Sequence, residues 1–110
     1  MRDGGLMMRY EIWQMPPNGP NRFLHYDWCK HPIDIMDYVY VYTGNITPLK
    51  GEKATDLLER IFEILNVDWP VDYHAASLST SDIVCLIDKQ NRRHWYYVDG
   101  IGFKKLDWNY

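Results

Sequence analysis

Polar and apolar positions alternate from Met8 to Met15, with Met8, Tyr10 and Ile12 on one side and Arg9, Glu11 and Trp13 on the other. That period of two predicts a half-buried strand. Pro16-Pro17-Asn18-Gly19-Pro20 ends it, because prolines cannot donate to a ladder. Phe23 to Lys30 has room for one or two helical turns before Pro32 stops them. Tyr38-Val39-Tyr40-Val41-Tyr42 is the clearest strand, strictly alternating and β-rich, closed by Thr43-Gly44-Asn45.

The period then changes. Ala54, Leu57, Leu58, Ile61, Phe62 and Leu65 form one apolar helical stripe. Asp56 and Arg60 are spaced to pair on its wet face. Asn66 is placed to end the helix, and Trp69-Pro70 prevents its continuation. Val71 to Thr80 reads as a loop rich in Ser and Thr. Ile83 to Ile87 is apolar throughout and predicts a central strand covered on both faces. Asp88 to Arg92 is a polar turn, Arg93 to Val98 returns as a partner strand, and Asp99-Gly100 and Gly102 bend the chain before Phe103 to Leu106. The summed expectation is an α+β fold: an antiparallel sheet of about four strands with one main helix packed on one face.

The 110 residues suffice for one core, and 46% apolar with 25% charged residues is globular composition. The net charge of -3 lacks the electrostatic footprint of a nucleic-acid binder. The acidity is uneven, with five basic and five acidic residues in 1–50 but seven against ten in 51–110. No apolar run is long enough to span a bilayer, and the N-terminus lacks a signal peptide's apolar core. Cys29 and Cys85 are therefore expected as reduced thiols, and the location as cytoplasmic. The start, MRDGGLMM, reads like a translated ribosome-binding site. It places the natural start at Met7 or Met8, with residues 1–7 a non-native or disordered extension to a single domain over 8–110.

Candidate chemistry is thin. His25, Cys29 and His31 fall within seven residues and carry donors suited to a transition metal. Zinc would need a fourth ligand from Asp27, Cys85 or His94. The spacing supports this weakly, since no second paired Cys or His motif completes the site. Ser77, Ser79 and Ser81 lie near His74, with Asp72, Asp82 and Asp99 available to orient a base. Against a hydrolase, there is no Gly-x-Ser-x-Gly elbow, and hydroxyls ahead of a strand commonly cap turns. No Walker loop, dinucleotide fingerprint or His-Glu-x-x-His helix occurs. The sequence implies no cofactor and no enzyme.

The aromatic excess is the broader signal: 15%, including nine Tyr and five Trp. Tyr38, Tyr40 and Tyr42 share one face of their strand. If the helix covers Val39 and Val41, these tyrosines form an exposed ladder; otherwise they are core with hydroxyls at the rim. With Trp95 and Tyr97 they are the candidate contacts for a protein partner, since exposed Tyr and Trp beside Arg make binding hot spots. Arg92, Arg93, Lys104 and Lys105, with Trp95, Tyr96 and Tyr97 between them, outline an alternative surface for stacking single-stranded nucleic acid.

Five segments carry a family resemblance: Phe62-Glu-Ile-Leu-Asn-Val-Asp-Trp-Pro70 with Asp72-Tyr73, Ser77-Leu-Ser-Thr-Ser-Asp-Ile-Val84, and Tyr96-Tyr-Val-Asp-Gly-Ile-Gly-Phe103, preceded by Arg9-Tyr-Glu-Ile-Trp13 and Tyr38-Val-Tyr-Val-Tyr-Thr-Gly44. Together they resemble the YodL-like domain. Pro16 to Met36 resembles it least, so no family role supports the candidate metal ligands. The resemblance implies a bacterial domain common on phages, plasmids and conjugative elements, with no established enzymatic activity. It suggests that Ser81 and Asp82 cap the turn entering the central strand, while Gly102 and Phe103 close the sheet.

The expectation is thus a non-catalytic module that binds a host protein, as a monomer or homodimer without membrane contact. Its most concrete version is an anti-defence inhibitor of the anti-CRISPR kind. The alternatives are a single-strand nucleic-acid-binding accessory protein and a small metal-dependent or serine hydrolase. A free edge on the Arg93–Val98 strand would serve for dimer pairing.

Overall fold

The computed structural model describes residues 7–110. The expectation of an N-terminal extension concerns residues 1–6, which lie outside the described residues, and Met7, which is exposed just ahead of the first strand. The elements run β1 (Met8–Gln14), β2 (Val39–Ile46), α1 (Ala54–Val67), β3 (Ile83–Ile87), β4 (Arg93–Val98) and β5 (Phe103–Leu106). Short 3-10 turns sit at Tyr26–Trp28 and Ile35–Asp37.

The five strands form one sheet in the order β2-β1-β3-β4-β5, antiparallel at every junction. This is the expected α+β class with one strand more than expected, because β5 completes a hairpin on β4. Strand β3 is central and all five of its residues are buried, as its unbroken apolar run requires. Strand β4 is paired on both sides, so among the described residues the free edges belong to β2 and β5 and not, as expected, to Arg93–Val98.

Each sheet face is covered by a different layer. On one face α1 buries Leu57, Leu58, Ile61 and Leu65 against Tyr10, Ile12, Val84, Leu86, Tyr96 and Val98. Phe62 lies at the margin with its ring against Phe103, and Ala54 is exposed. Arg60 does not pair with Asp56: its guanidinium bonds Glu52 at 2.7 and 2.8 Å, while Asp56 accepts the Lys53 backbone N–H and so caps the helix start. The helix also runs one residue past Asn66, to Val67. On the other face the chain between β1 and β2, together with the C-terminal Trp108, covers Ile83, Cys85, Ile87, Trp95 and Tyr97.

Ser81 ties these layers together. It holds a left-handed backbone, φ 84°, uncommon for a residue with a side chain. Three bonds fix it: its N–H donates to Val98 O, its Oγ accepts from Phe23 N–H, and its carbonyl accepts the Tyr38 hydroxyl. Beside it the Asp82 carboxylate accepts from Ser79 N–H at 2.8 Å. The two residues cap the turn into β3, as the resemblance implied. Likewise Asp99 N–H donates to Gly102 O, Gly102 takes φ 71°, and Phe103 packs into the helix-side core.

The tyrosine ladder does not form. A bulge between Ile12 and Trp13 sets Tyr42 opposite Ile12 but Tyr40 opposite Trp13, so Val41 has no partner. Ile12 faces α1 and Trp13 faces the other layer, which sends Tyr42 and Tyr40 to opposite sides of the sheet. Tyr38 precedes β2 and is buried, its hydroxyl held by Ser81.

Candidate aromatic cleft

Residues two apart on a strand share a face, so β1 presents Glu11 with Trp13 and β4 presents Arg93 with Trp95. Between them β3 contributes the small Cys85, opposite both Glu11 and Trp95. Ile35, Tyr40 and Tyr110 complete the wall of an open cleft of about 300 Å³. Its rings touch in a chain: Tyr40 to Trp13 at 5.5 Å, Trp13 to Trp95 at 5.8 Å and Trp95 to Tyr110 at 6.1 Å between centroids.

The cleft's charges are internally satisfied. Glu11 accepts from Arg93 Nη1 at 2.5 Å and from Trp13 Nε1–H at 3.2 Å. Glu11 holds the Arg93 guanidinium more firmly protonated than usual. Burial pushes the Cys85 thiol up to about 11, despite Arg93 nearby, so it is no nucleophile at neutral pH. The cleft thus offers apolar rings and one neutralised ion pair, suited to receiving an apolar or aromatic group and not to proton transfer.

Of the five aromatic contacts expected from the sequence, Tyr40 is the most open, 46% exposed, and Tyr42 is half-buried. Tyr38, Trp95 and Tyr97 are interior, at 7%, 2% and 0% exposure, and cannot be primary contacts. Trp95 still forms one wall of the cleft. Tyr97 donates to Leu24 O at 2.6 Å beneath the β1–β2 connection. Sequence reasoning missed Trp13, Glu11 and Tyr110 as partners of Tyr40. The alternation of Glu11 with Trp13 was visible, but the bulge that brings Tyr40 to them was not.

The candidate metal ligands are not brought together. Cys29 Sγ lies 2.9 Å from the Tyr97 hydroxyl and 3.4 Å from His25 O, with its thiol pushed up by burial. His31 Nε2 meets Tyr26 O, and the His25 ring lies against Gly100. Among the described residues no three His, Cys, Asp or Glu side chains are grouped to hold a metal. Both cysteines are free, and no helix among the described residues is long and apolar enough to cross a membrane.

The hydrolase candidates are likewise dispersed into structural bonds. Ser81 is buried, Ser79 Oγ donates to Ser77 O, Asp72 accepts the Tyr42 hydroxyl, and Asp99 accepts from Tyr26 and Gly100 N–H. His74 is exposed. The basic residues divide too. Arg92 pairs with Asp88 and Arg93 with Glu11. Lys104 lies over Tyr26 and Lys105 over Tyr96, on opposite faces of β5.

The architecture is that of a small α+β domain with a sheet covered on both faces and an open aromatic cleft. The family model for the YodL-like domain matches residues 9–108, and the chain belongs to that family. No curated protein and no solved structure matches it.

Proposed function

We propose that the chain is a non-catalytic protein-binding module that docks the cleft of Trp13, Tyr40, Trp95 and Tyr110 onto a host protein and blocks it. Its most concrete form is an anti-defence inhibitor, of the anti-CRISPR kind, carried by a mobile element. The cleft carries this reading: large rings held by packing, an Arg already oriented by Glu11, and a rim open to solvent are the composition of a hot spot. Rigid rings and a pre-set guanidinium lose little freedom on binding. The basic side chains, split between two sheet faces, give no continuous path for a nucleic-acid backbone.

The test is capture from a bacterial host lysate with tagged protein, read by mass spectrometry, alongside plasmid- and phage-interference assays. Tyr40→Ala and Tyr110→Ala are each expected to weaken capture of the partner by roughly tenfold or more, as hot-spot truncations do. Both side chains are more than 40% exposed, so melting should shift by only a few degrees. Unchanged capture by both variants, or no partner and no effect on immunity, would overturn the proposal.

A further inference from the structure

The two free edges of the sheet are built differently. Strand β5 has four residues and carries Lys104 and Lys105, the short and charged form that resists pairing with another chain. Strand β2 has eight residues, Val-Tyr-Val-Tyr-Thr-Gly-Asn-Ile, without a charge or a proline. Its bulge at Val41 bends one end, but from Tyr42 to Ile46 the register against β1 is unbroken. That run leaves one row of backbone donors and acceptors facing outward with no neighbouring strand among the described residues.

The run is also self-complementary. Tyr42 and Ile46 point to the helix side, while Thr43 and Asn45 are exposed on the other. Turning a second copy about a two-fold axis at Gly44 sets Tyr42 against Ile46 of the other copy and Thr43 against its Asn45. Apolar then meets apolar, amide meets hydroxyl, and glycine meets glycine at the axis. Gly44 is already obligatory, since a Cβ there would lie 2.6 Å from the Tyr10 hydroxyl oxygen. The flanks agree in charge. The chain enters β2 past Asp34 and Asp37 and leaves it past Lys50 and Lys53, with Glu52 between them already paired to Arg60. Antiparallel pairing brings the acidic entry of one copy alongside the basic exit of the other.

We propose that β2 is a self-pairing edge, through which two copies of this chain join antiparallel across Tyr42–Ile46 about Gly44. The product is one continuous sheet with both aromatic clefts on the same side, each beside the axis through its Tyr40. A partner with repeated epitopes would then be held at both clefts. The dimer itself does not depend on the cleft reading, and each fails separately: Tyr110→Ala leaves the oligomeric state unchanged, and the edge variants below leave the cleft rings intact.

Sedimentation equilibrium on the full chain over a concentration series tests it, with melting temperature followed over the same series. The wild type should be a dimer whose melting temperature rises with concentration. Combining Thr43→Lys with Asn45→Lys puts like charges opposite each other across the axis and should raise the dimer dissociation constant roughly tenfold or more. Combining Thr43→Lys with Asn45→Glu puts opposite charges there and should hold it within about threefold of wild type. Both positions are solvent-exposed, and melting curves verify that each variant is folded. A monomeric wild type at every concentration, or a dimer that the two double variants affect equally, overturns the proposal. The first result would leave β2 free for a strand of a different protein.

Discussion

Trp95→Ala is expected to destabilise the domain by about 3–5 kcal/mol, the range for deleting a large buried ring. The indole is 2% exposed and packs against Trp13, Trp108 and Tyr110 at centroid distances of 5.8, 5.3 and 6.1 Å. Its Nε1–H has no hydrogen-bond partner, so its contribution is packing. Removing the ring opens the layer between β4 and the C-terminal Trp108, which is held by its ring contacts and its bond to Ile33 O. Small domains carry about 5–15 kcal/mol in total, so about a fifth or more of the stability is at stake. Urea unfolding should show the midpoint falling at nearly constant slope. Tyr40→Ala, at the exposed rim of the same cleft, should cost about 1 kcal/mol or less. A similar loss from both would mean that Tyr40 is core and the cleft is closed in solution.

That contrast marks where sequence reasoning stops. Helix α1, strand β3 and the β3–β4 hairpin were legible because each depends on local pattern: a 3.6-residue stripe, an unbroken apolar run and a polar turn. The sheet's second cover was not. Residues 15–38 have no period, since they are held by single bonds to distant partners: Phe23 N–H to Ser81 Oγ, Tyr26 N–H to Asp99, and Trp108 Nε1–H to Ile33 O. Such bonds leave no spacing to read. Without that layer the sequence presents the face of Trp95 and Tyr97 as open, and both read as contacts. Tyr38, Tyr40 and Tyr42 fail for a different reason. Period-two reasoning assumes an unbroken ladder, and one unpaired residue at Val41 reverses the side of everything beyond it. Ser81, Asp82 and Asp99 are hydrogen-bonding anchors between layers, which is why they resemble catalytic residues in type without being arranged as such.

Asp82 makes the second large prediction, because its carboxyl is buried where its charge is costly. Burial pushes it up from 3.8 to about 6, against the opposing pull of Ser79 N–H, the Gln14 amide and the Arg22 guanidinium. A raised acid binds its proton more tightly in the folded chain than in the unfolded one. This contribution to stability is therefore complete below about pH 4, falls as pH rises towards 6, and is constant above. With about 1.4 kcal/mol per tenfold change in proton affinity, the loss is at most about 3 kcal/mol. Asp88 titrates in the opposite sense: its bond from His94, with the Arg92 N–H, holds it near 2, and what it adds is lost only at lower pH. Comparison with Asp82→Asn isolates the effect. An asparagine oxygen can still accept from Ser79 N–H and Gln14 Nε2, now 2.8 and 3.1 Å from Asp82 Oδ2, without a buried charge. The variant should match the wild type near pH 4 and exceed it by about 2–3 kcal/mol at pH 7. Urea unfolding at half-unit pH intervals reads this directly. Parallel profiles for the two proteins would mean that the carboxylate is solvated in solution, and that the Ser81–Asp82 turn opens to water.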